Sequence, residues 1–429
     1  MSTSWPPSPT FWTDEFPAQT TNRTTPHLFK GIVPASAASP ADVLTGFASI
    51  RRAHAAESAI GAKARVYVGE DRRDDLLPTV LGAQEWREGE FVEWMQSLAG
   101  ADRFSLVINN LETVSPPLAA SLGAFLGSLF EGWGFPVGGA EQVAFAGNYA
   151  GTAFGVHEGY EDAFLIHLGP NPKNFYTWSA EEYEKLTGGK QALLGDYKWL
   201  LEHGEHFLLE PGDALFLPRR VFHVGTQDQF SVSVAVPLYT HPDAGILRKD
   251  ILPDLLTSLL LGDGPDDDRN QPSPMAPAGD GGPVAQRLAA RGRATLATAI
   301  DRLEEATEQH VQQRWDTVLS NGGWEFSEGD FARTEAAAAF TPQQVTPGAT
   351  VTLIAPYRLR VGPDRVLLRG LQADLAPAAL SPDLIEALNS GTAFTLPEDQ
   401  NVLAAVRALG ATGGIHLTAR STNTEATAS

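Results

Sequence analysis

Between residues 141 and 240 the chain breaks into short apolar runs separated by Gly, Pro and Asn. These runs are QVAFAGNY, AFLIHLG, NFYTW, HFLLE, DALFLP and FSVSVAVPLY, each five to ten residues long. Strands this short, recurring about every ten residues, point to an all-β sandwich or barrel. One helical insertion, SAEEYEKL (179–186), interrupts the pattern.

Two stretches of this β region carry the chemistry. The first is FGVHEGYEDAFLIHLG (154–169), and the second, EPGDALFLPRRVFHVG (210–225), places His223 66 residues after His157. Pro211-Gly212-Asp213 predicts a tight turn into a strand that Pro218 ends. A barrel brings His residues from different strands to one point in its mouth. Neutral imidazoles suit iron, copper or zinc, and an added carboxylate would complete the facial triad of non-heme iron(II). A single buried His is more often a hydrogen-bonded core residue, so the pair carries the reading. The sequence has no cysteine, which excludes thiolate zinc sites, iron–sulfur clusters, disulfide scaffolds and cysteine nucleophiles.

The order of these segments resembles the JmjC-like iron(II)/2-oxoglutarate oxygenases, a family that includes bacterial ribosomal oxygenases and asparaginyl hydroxylases. The resemblance covers about residues 25–240, from TTPHLFKG to SVSVAVPLY. It implies a double-stranded β-helix (cupin-type) core, with Fe(II) as metal and 2-oxoglutarate as co-substrate. His157 matches the first metal ligand and His223 the distal one. Lys173, in GPNPKNFYTW, matches the cation that pairs with the distal carboxylate of 2-oxoglutarate. A dicarboxylate in an apolar barrel requires such a buried cation. Ser233 and Asn148 fall on strands expected to line the barrel and are further candidates for the co-substrate. The same holds for Tyr149 and Ser231, and His167 is expected in the core or behind the site.

One position departs from the family pattern. Two residues after His157, where the family places its carboxylate, stands Gly159. Glu158, Glu161 or Asp162 substitutes through a local shift or bulge, or an open coordination position is left for a halide, as in His-x-Gly halogenases, or the pocket binds without catalysing. Gly159 also suits a plain tight turn.

The resemblance implies hydroxylation of an unactivated C–H bond in a peptide or protein side chain or an amino-acid-derived metabolite. The alternatives are a halogenase and a non-catalytic cupin.

The 429 residues, 43% hydrophobic, are enough for two or three domains. Residues 1–261 read as the oxygenase domain, with an extended aromatic arm (Trp5, Phe11, Trp12, Phe16) and helices over 40–60, 86–99 and 117–131. Residues 262–284, rich in Gly, Pro and Asp, read as a linker. A helical segment over 285–330, suited to dimerisation, leads to a small α+β module over 331–418 with the element mix of a winged helix, and 419–429 reads as a disordered tail. The fold class is therefore α+β. With 31 basic against 52 acidic residues, the net charge of −21 argues against a nucleic-acid or anionic-membrane partner. No secretory signal or membrane-length apolar run is evident, so a cytoplasmic location is expected.

Overall fold

The computed structural model describes residues 4–58, 60–69, 71–82, 90–151, 154–261 and 281–418. The expected linker falls almost wholly outside these residues, and the expected tail entirely so.

The arm is helical rather than extended. A π-turn at Phe11–Glu15 runs into α1 (Phe16–Gln19) and buries Phe11, Trp12 and Phe16. Trp12 sits edge-on to Phe125 and Phe164, and its indole N–H donates to Ser128 Oγ at 3.0 Å. Burying those rings outweighs the extended bias of the Pro-rich flank. Helix α2 (Pro40–Ala55) opens on a Ser39/Asp42 capping box with Pro40 in its first turn. Helices α3 (Leu77–Leu81), α4 (Phe91–Ala99) and α5 (Pro116–Trp133) follow. They pack on one face of a large sheet.

That sheet takes strands β1 (His27–Phe29), β2 (Lys63–Val68), β3 (Asp71–Arg72), β4 (Phe104–Asn109), β5 (Val143–Gly147), β7 (Asp162–Pro170), β10 (Ala214–Leu217) and β12 (Ser231–Leu238), in the order β1-β10-β7-β12-β5-β4-β2-β3. A second sheet, ordered β6-β11-β8-β9, holds β6 (His157–Glu158), β8 (Lys173–Trp178), β9 (Glu205–Leu209) and β11 (Phe222–Thr226). The two antiparallel sheets form a double-stranded β-helix extended at one edge by β4, β2 and β3.

Period-two alternation divides each strand between two cores. On the large sheet, Phe164, Ile166, Ala214, Phe216, Val232, Val234 and Val236 join the helices. The alternate residues Leu165, Leu215 and Leu217 turn inward to meet Phe175 and Leu209 of the small sheet. On the outer side of the small sheet, Trp178, Phe222 and Val224 are covered by Tyr183 of α6 (Ala180–Thr187) and Leu200 of α7 (Lys198–Leu201). A Ser179/Glu182 capping box starts α6 where the sequence placed a helical insertion.

Two compact units divide the chain, one of residues 1–239 with 317–429 and one of 240–316. The second holds α8 (Asp243–Ile246), α9 (Leu252–Leu261) and most of α10 (Gly282–Ser320). In the first, residues after α10 lie along the barrel domain. Glu325 N donates to Ala140 O at 2.7 Å, and the Trp324 indole donates to Ala119 O at 3.1 Å. The C-terminal part has α11 (Phe331–Ala339), α12 (Pro382–Asn389) and α13 (Gln400–Gly410). One small sheet joins β13 (Thr350–Leu353), β17 (Phe394–Thr395) and β18 (Ile415–Thr418), and another joins β14 (Arg360–Val361), β15 (Val366–Leu368) and β16 (Leu371–Gln372). They enclose a separate core of which Val351, Leu384 and Val406 are part. No described helix is long and apolar enough to cross a membrane.

Candidate metal and co-substrate site

His157 and His223 face each other across an antiparallel pair. Register places His223 of β11 directly opposite His157 of β6, and residues so paired point to the same face. Their ring centroids lie 4.4 Å apart. Nδ1 of His157 is 3.1 Å from Gly155 O, and Nδ1 of His223 is 3.2 Å from Val221 O. A carbonyl accepts only from N–H, so both rings carry their proton on Nδ1 and turn an Nε2 lone pair outward. This is the arrangement in which imidazole binds a metal, with the second nitrogen fixing tautomer and angle. Burial lowers the pKa of both rings, and with the adjacent His157 it brings His223 to about 3. Both are therefore neutral at neutral pH, as metal ligation requires.

The acids beside His157 are occupied elsewhere. Glu158 pairs with Arg220 at 3.2 Å and Glu161 with Arg219 at 3.4 Å. Asp162 accepts from the Arg219 backbone N–H at 2.8 Å. Among the described residues no three His, Asp or Glu side chains converge as a metal cluster. Gly159 is pinned by its own N–H to Val221 O at 3.1 Å and by Arg220 N–H to its carbonyl at 2.6 Å. A Cβ built there would stand 3.3 Å from His223 Cε1, so a side chain at 159 would enter the space beside the two imidazoles. Two neighbouring imidazoles, with no side chain at position 159 beside His223, are what the chain provides here.

Lys173 opens β8 on the same inner face, two residues before Phe175, whose ring stacks on His223 at 5.5 Å. It is 1% exposed. Its Nζ donates to the Tyr149 hydroxyl and to Gln227 Oε1 at 3.3 Å, and lies over the Tyr149 ring. Among the described residues it has no carboxylate partner. Burial without a counter-charge pulls it from 10.5 down to about 7. Gly225 makes the space, since a Cβ there would lie 2.9 Å from Lys173 Cε.

The other sequence candidates are placed differently. Ser233 faces the barrel interior, but its hydroxyl is bonded to His167 Nδ1 at 2.9 Å. His167 Nε2 donates in turn to Asn171 O at 2.7 Å, and Ser231 donates to the same carbonyl at 2.7 Å. The serines thus fix a fully buried, neutral His167, whose pKa burial lowers to about 4. Asn148 is taken up by the sheet edge, with Oδ1 accepting from Phe104 N at 3.1 Å and Nδ2 reaching Gln96 at 3.4 Å. Tyr149 and Gln227 flank the lysine instead. Gln227 is held by Gly147 O and Ser231 O through its Nε2, a role its sequence context gives no sign of.

The JmjC domain family model matches residues 141–244. The structure of ycfD from Escherichia coli superposes with a TM-score of 0.51 at 19% identity, covering 92% of this chain and 95% of that one. YcfD, a ribosomal oxygenase from Escherichia coli, in complex with cobalt and succinic acid, gives the same TM-score at 18% identity, covering 94% and 98%. At such identity the likeness is one of fold, extending over nearly the full length of both chains. No protein of curated function matches the sequence. The segment carrying His157, Lys173 and His223 thus lies within the stretch that matches the JmjC domain family model, and its two antiparallel sheets form a double-stranded β-helix.

Proposed function

We propose that this chain is an Fe(II)- and 2-oxoglutarate-dependent oxygenase that hydroxylates a C–H bond of a peptide or protein side chain. The observation that carries the reading is Lys173, a fully buried amine held by two neutral oxygens with no carboxylate against it among the described residues. A cation left so within a barrel is the counterpart of an anionic ligand. It shares its inner face with Phe175 and with two neighbouring imidazoles whose ring centroids lie 4.4 Å apart.

The residues suit the metal and co-substrate in their chemistry. His157 and His223 would hold iron(II), with two backbone carbonyls keeping their tautomers. Lys173, aided by Tyr149 and Gln227, would receive the distal carboxylate of 2-oxoglutarate. Iron(II) with chelated 2-oxoglutarate supplies the oxidation of an unactivated C–H bond. The chain's own part is to hold the co-substrate from its far end, shield it with Phe175 and leave the place at Gly159 unfilled. A protein substrate accords with the likeness of fold to YcfD, a ribosomal oxygenase. The net charge of −21 disfavours nucleic acid as the partner, and a cytoplasmic setting fits both. Exposed Leu288, Leu296 and Ile300 on α10 favour pairing with a second copy.

Anaerobic addition of iron(II) and 2-oxoglutarate tests the reading. A visible charge-transfer band that is lost in His223→Ala is the expected result, and its absence from the wild-type protein sinks the proposal. Product mass with and without added chloride then reads the occupant of the Gly159 place. Oxygen addition alone supports hydroxylation, and chlorine incorporation overturns it.

A further inference from the structure

Beside the two imidazoles lies a second built feature that the metal site does not use. On the inner face of the large sheet β2 carries Arg65 and Tyr67, set by register opposite Val107 and Ser105 of β4. Arg65 lies over the Phe154 ring at 5.2 Å, Tyr67 meets the same ring at 6.2 Å, and that ring is 5.6 Å from the His157 ring. Arg65 is therefore one aromatic ring removed from a proposed metal ligand.

Arg65 also lines a cleft of about 660 Å³, with Lys63, Arg72, Asn109, Glu141 and Glu325 among its walls. That volume suits a ligand or a short peptide segment. Its charges are unequally occupied. Glu141 accepts from Asn109 Nδ2 at 2.8 Å, from Asn110 N at 2.9 Å and from the Tyr239 hydroxyl. Arg72 pairs with Asp74 at 2.8 Å. Arg65 donates one arm to Asn109 Oδ1, while its Nε is buried without an acceptor. Neither Arg65 nor Lys63 has a carboxylate partner among the described residues. Asn109 thus links a satisfied acid to an unsatisfied cation and fixes the latter's direction. Glu141 and Glu325 also line the cleft, so a place for negative charge is confined to the Lys63 and Arg65 side chains of β2.

We propose that this cleft receives an acidic peptide segment of the substrate, with Arg65 binding a Glu or Asp carboxylate so that a neighbouring residue passes Phe154 toward the metal. Arg65 is then a specificity-determining residue: its planar fork meets a carboxylate through two parallel bonds, and Phe154 on its other side couples its position to His157. The substrate class deepens the oxygenase reading and rests on it.

The test is fluorescence anisotropy with fluorescein-labelled tetraglutamate, tetraglutamine and tetralysine, at low ionic strength, on the full chain loaded with iron(II) and 2-oxoglutarate under anaerobic conditions. Tetraglutamate is repelled by the protein's net charge, so its binding reports a local cationic site. The expected order is tetraglutamate well above both others. Arg65→Gln should weaken it about tenfold or more, with Arg65→Lys recovering part of the loss. Lys63→Glu, on an exposed side chain that cannot disturb the core, should weaken it as well. Equal binding of tetraglutamine, preference for tetralysine, or unchanged binding in both Arg65→Gln and Lys63→Glu overturns the proposal. The charge-transfer band, followed in the same samples, separates the two readings. If it is present in wild type and in Arg65→Gln while tetraglutamate fails to bind, the cleft assignment fails and the oxygenase reading stands. If it is missing from wild type, the oxygenase reading has failed.

Discussion

Replacing Lys173 by Met should make the ligand-free protein more stable while removing its response to 2-oxoglutarate. Burial moves the Lys173 amine from 10.5 to about 7. At 1.36 kcal/mol per pH unit, holding it inside costs about 4 kcal/mol at pH 7. Methionine matches the stem and brings no charge, but it deprives Gln227 Oε1 and the Tyr149 hydroxyl of their donor, a loss of about 1–3 kcal/mol. The net expectation is a gain of about 1–3 kcal/mol in urea unfolding at pH 7. The sign with pH follows from the folded value being the lower one. Between pH 7 and 10.5 the unfolded chain binds the proton and the folded chain does not, so stability rises with pH in that window. From pH 7 to 9 the lysine protein should gain about 2 kcal/mol that Lys173→Met does not. Adding 2-oxoglutarate at about 100 times its Kd should stabilise wild type by about 2.7 kcal/mol and leave the variant unmoved. A Lys173→Met protein that loses stability and keeps the wild-type pH slope would show that the amine is not an uncompensated buried cation, and the co-substrate assignment would lose its main support.

Gly225→Ala sets a methyl 2.9 Å from Lys173 Cε and 3.0 Å from Phe175 Cδ2; it should cost about 1–3 kcal/mol in urea unfolding and weaken 2-oxoglutarate binding by calorimetry. Gly159→Asp puts a carboxyl beside His223 and should tighten manganese(II) or iron(II) binding about tenfold or more, read by competition with a metal dye. His223→Ala should weaken metal binding more than about 100-fold in the same assay, and a smaller change would place the metal elsewhere.

The barrel was legible because its signal is local. Short strands punctuated by Gly and Pro, with His157 early and His223 late, need no tertiary information to be read. What pairs with what was not legible. Glu158, Glu161 and Asp162 look available as ligands along the chain, and only the antiparallel β6–β11 register brings Arg219 and Arg220 against them. Gln227 reaches Lys173 across 54 positions, a contact with no local signature. In the arm, Pro-rich composition suggested extension, but the burial of Phe11, Trp12 and Phe16 decided for helix. At the C-terminal end Tyr357, Leu359 and Val361 alternate as a strand does, yet only Arg360–Val361 pairs. Arg358 N instead donates to Ser320 O at 3.1 Å and Leu359 N to Asn389 Oδ1 at 2.9 Å. Alternation here marks the burial of Tyr357 and Leu359, but neither that of Val361, which is exposed, nor the presence of a neighbouring strand.

Gly159 acquires its meaning from the same register. As a residue in HEGYED it is a turn-former like any other, and a turn glycine would be replaceable wherever open space surrounds its Cα. Here the space beyond Cα holds the Cε1 edge of His223, and the flanking acids are bound to Arg219 and Arg220 in the turn before β11. A carboxylate at this position is not supplied by a neighbour, because Glu158 is held by Arg220, and Glu161 and Asp162 are held by Arg219. The barrel retains the elements that bind a dicarboxylate, including a lysine whose burial lowers the stability of the empty protein. A fold keeps such a destabilising group only where a ligand offsets it. The cost at Lys173 therefore argues that the pocket is occupied in use, and with Gly159 carrying no side chain, His157 and His223 are the two residues of this chain that would hold a metal there.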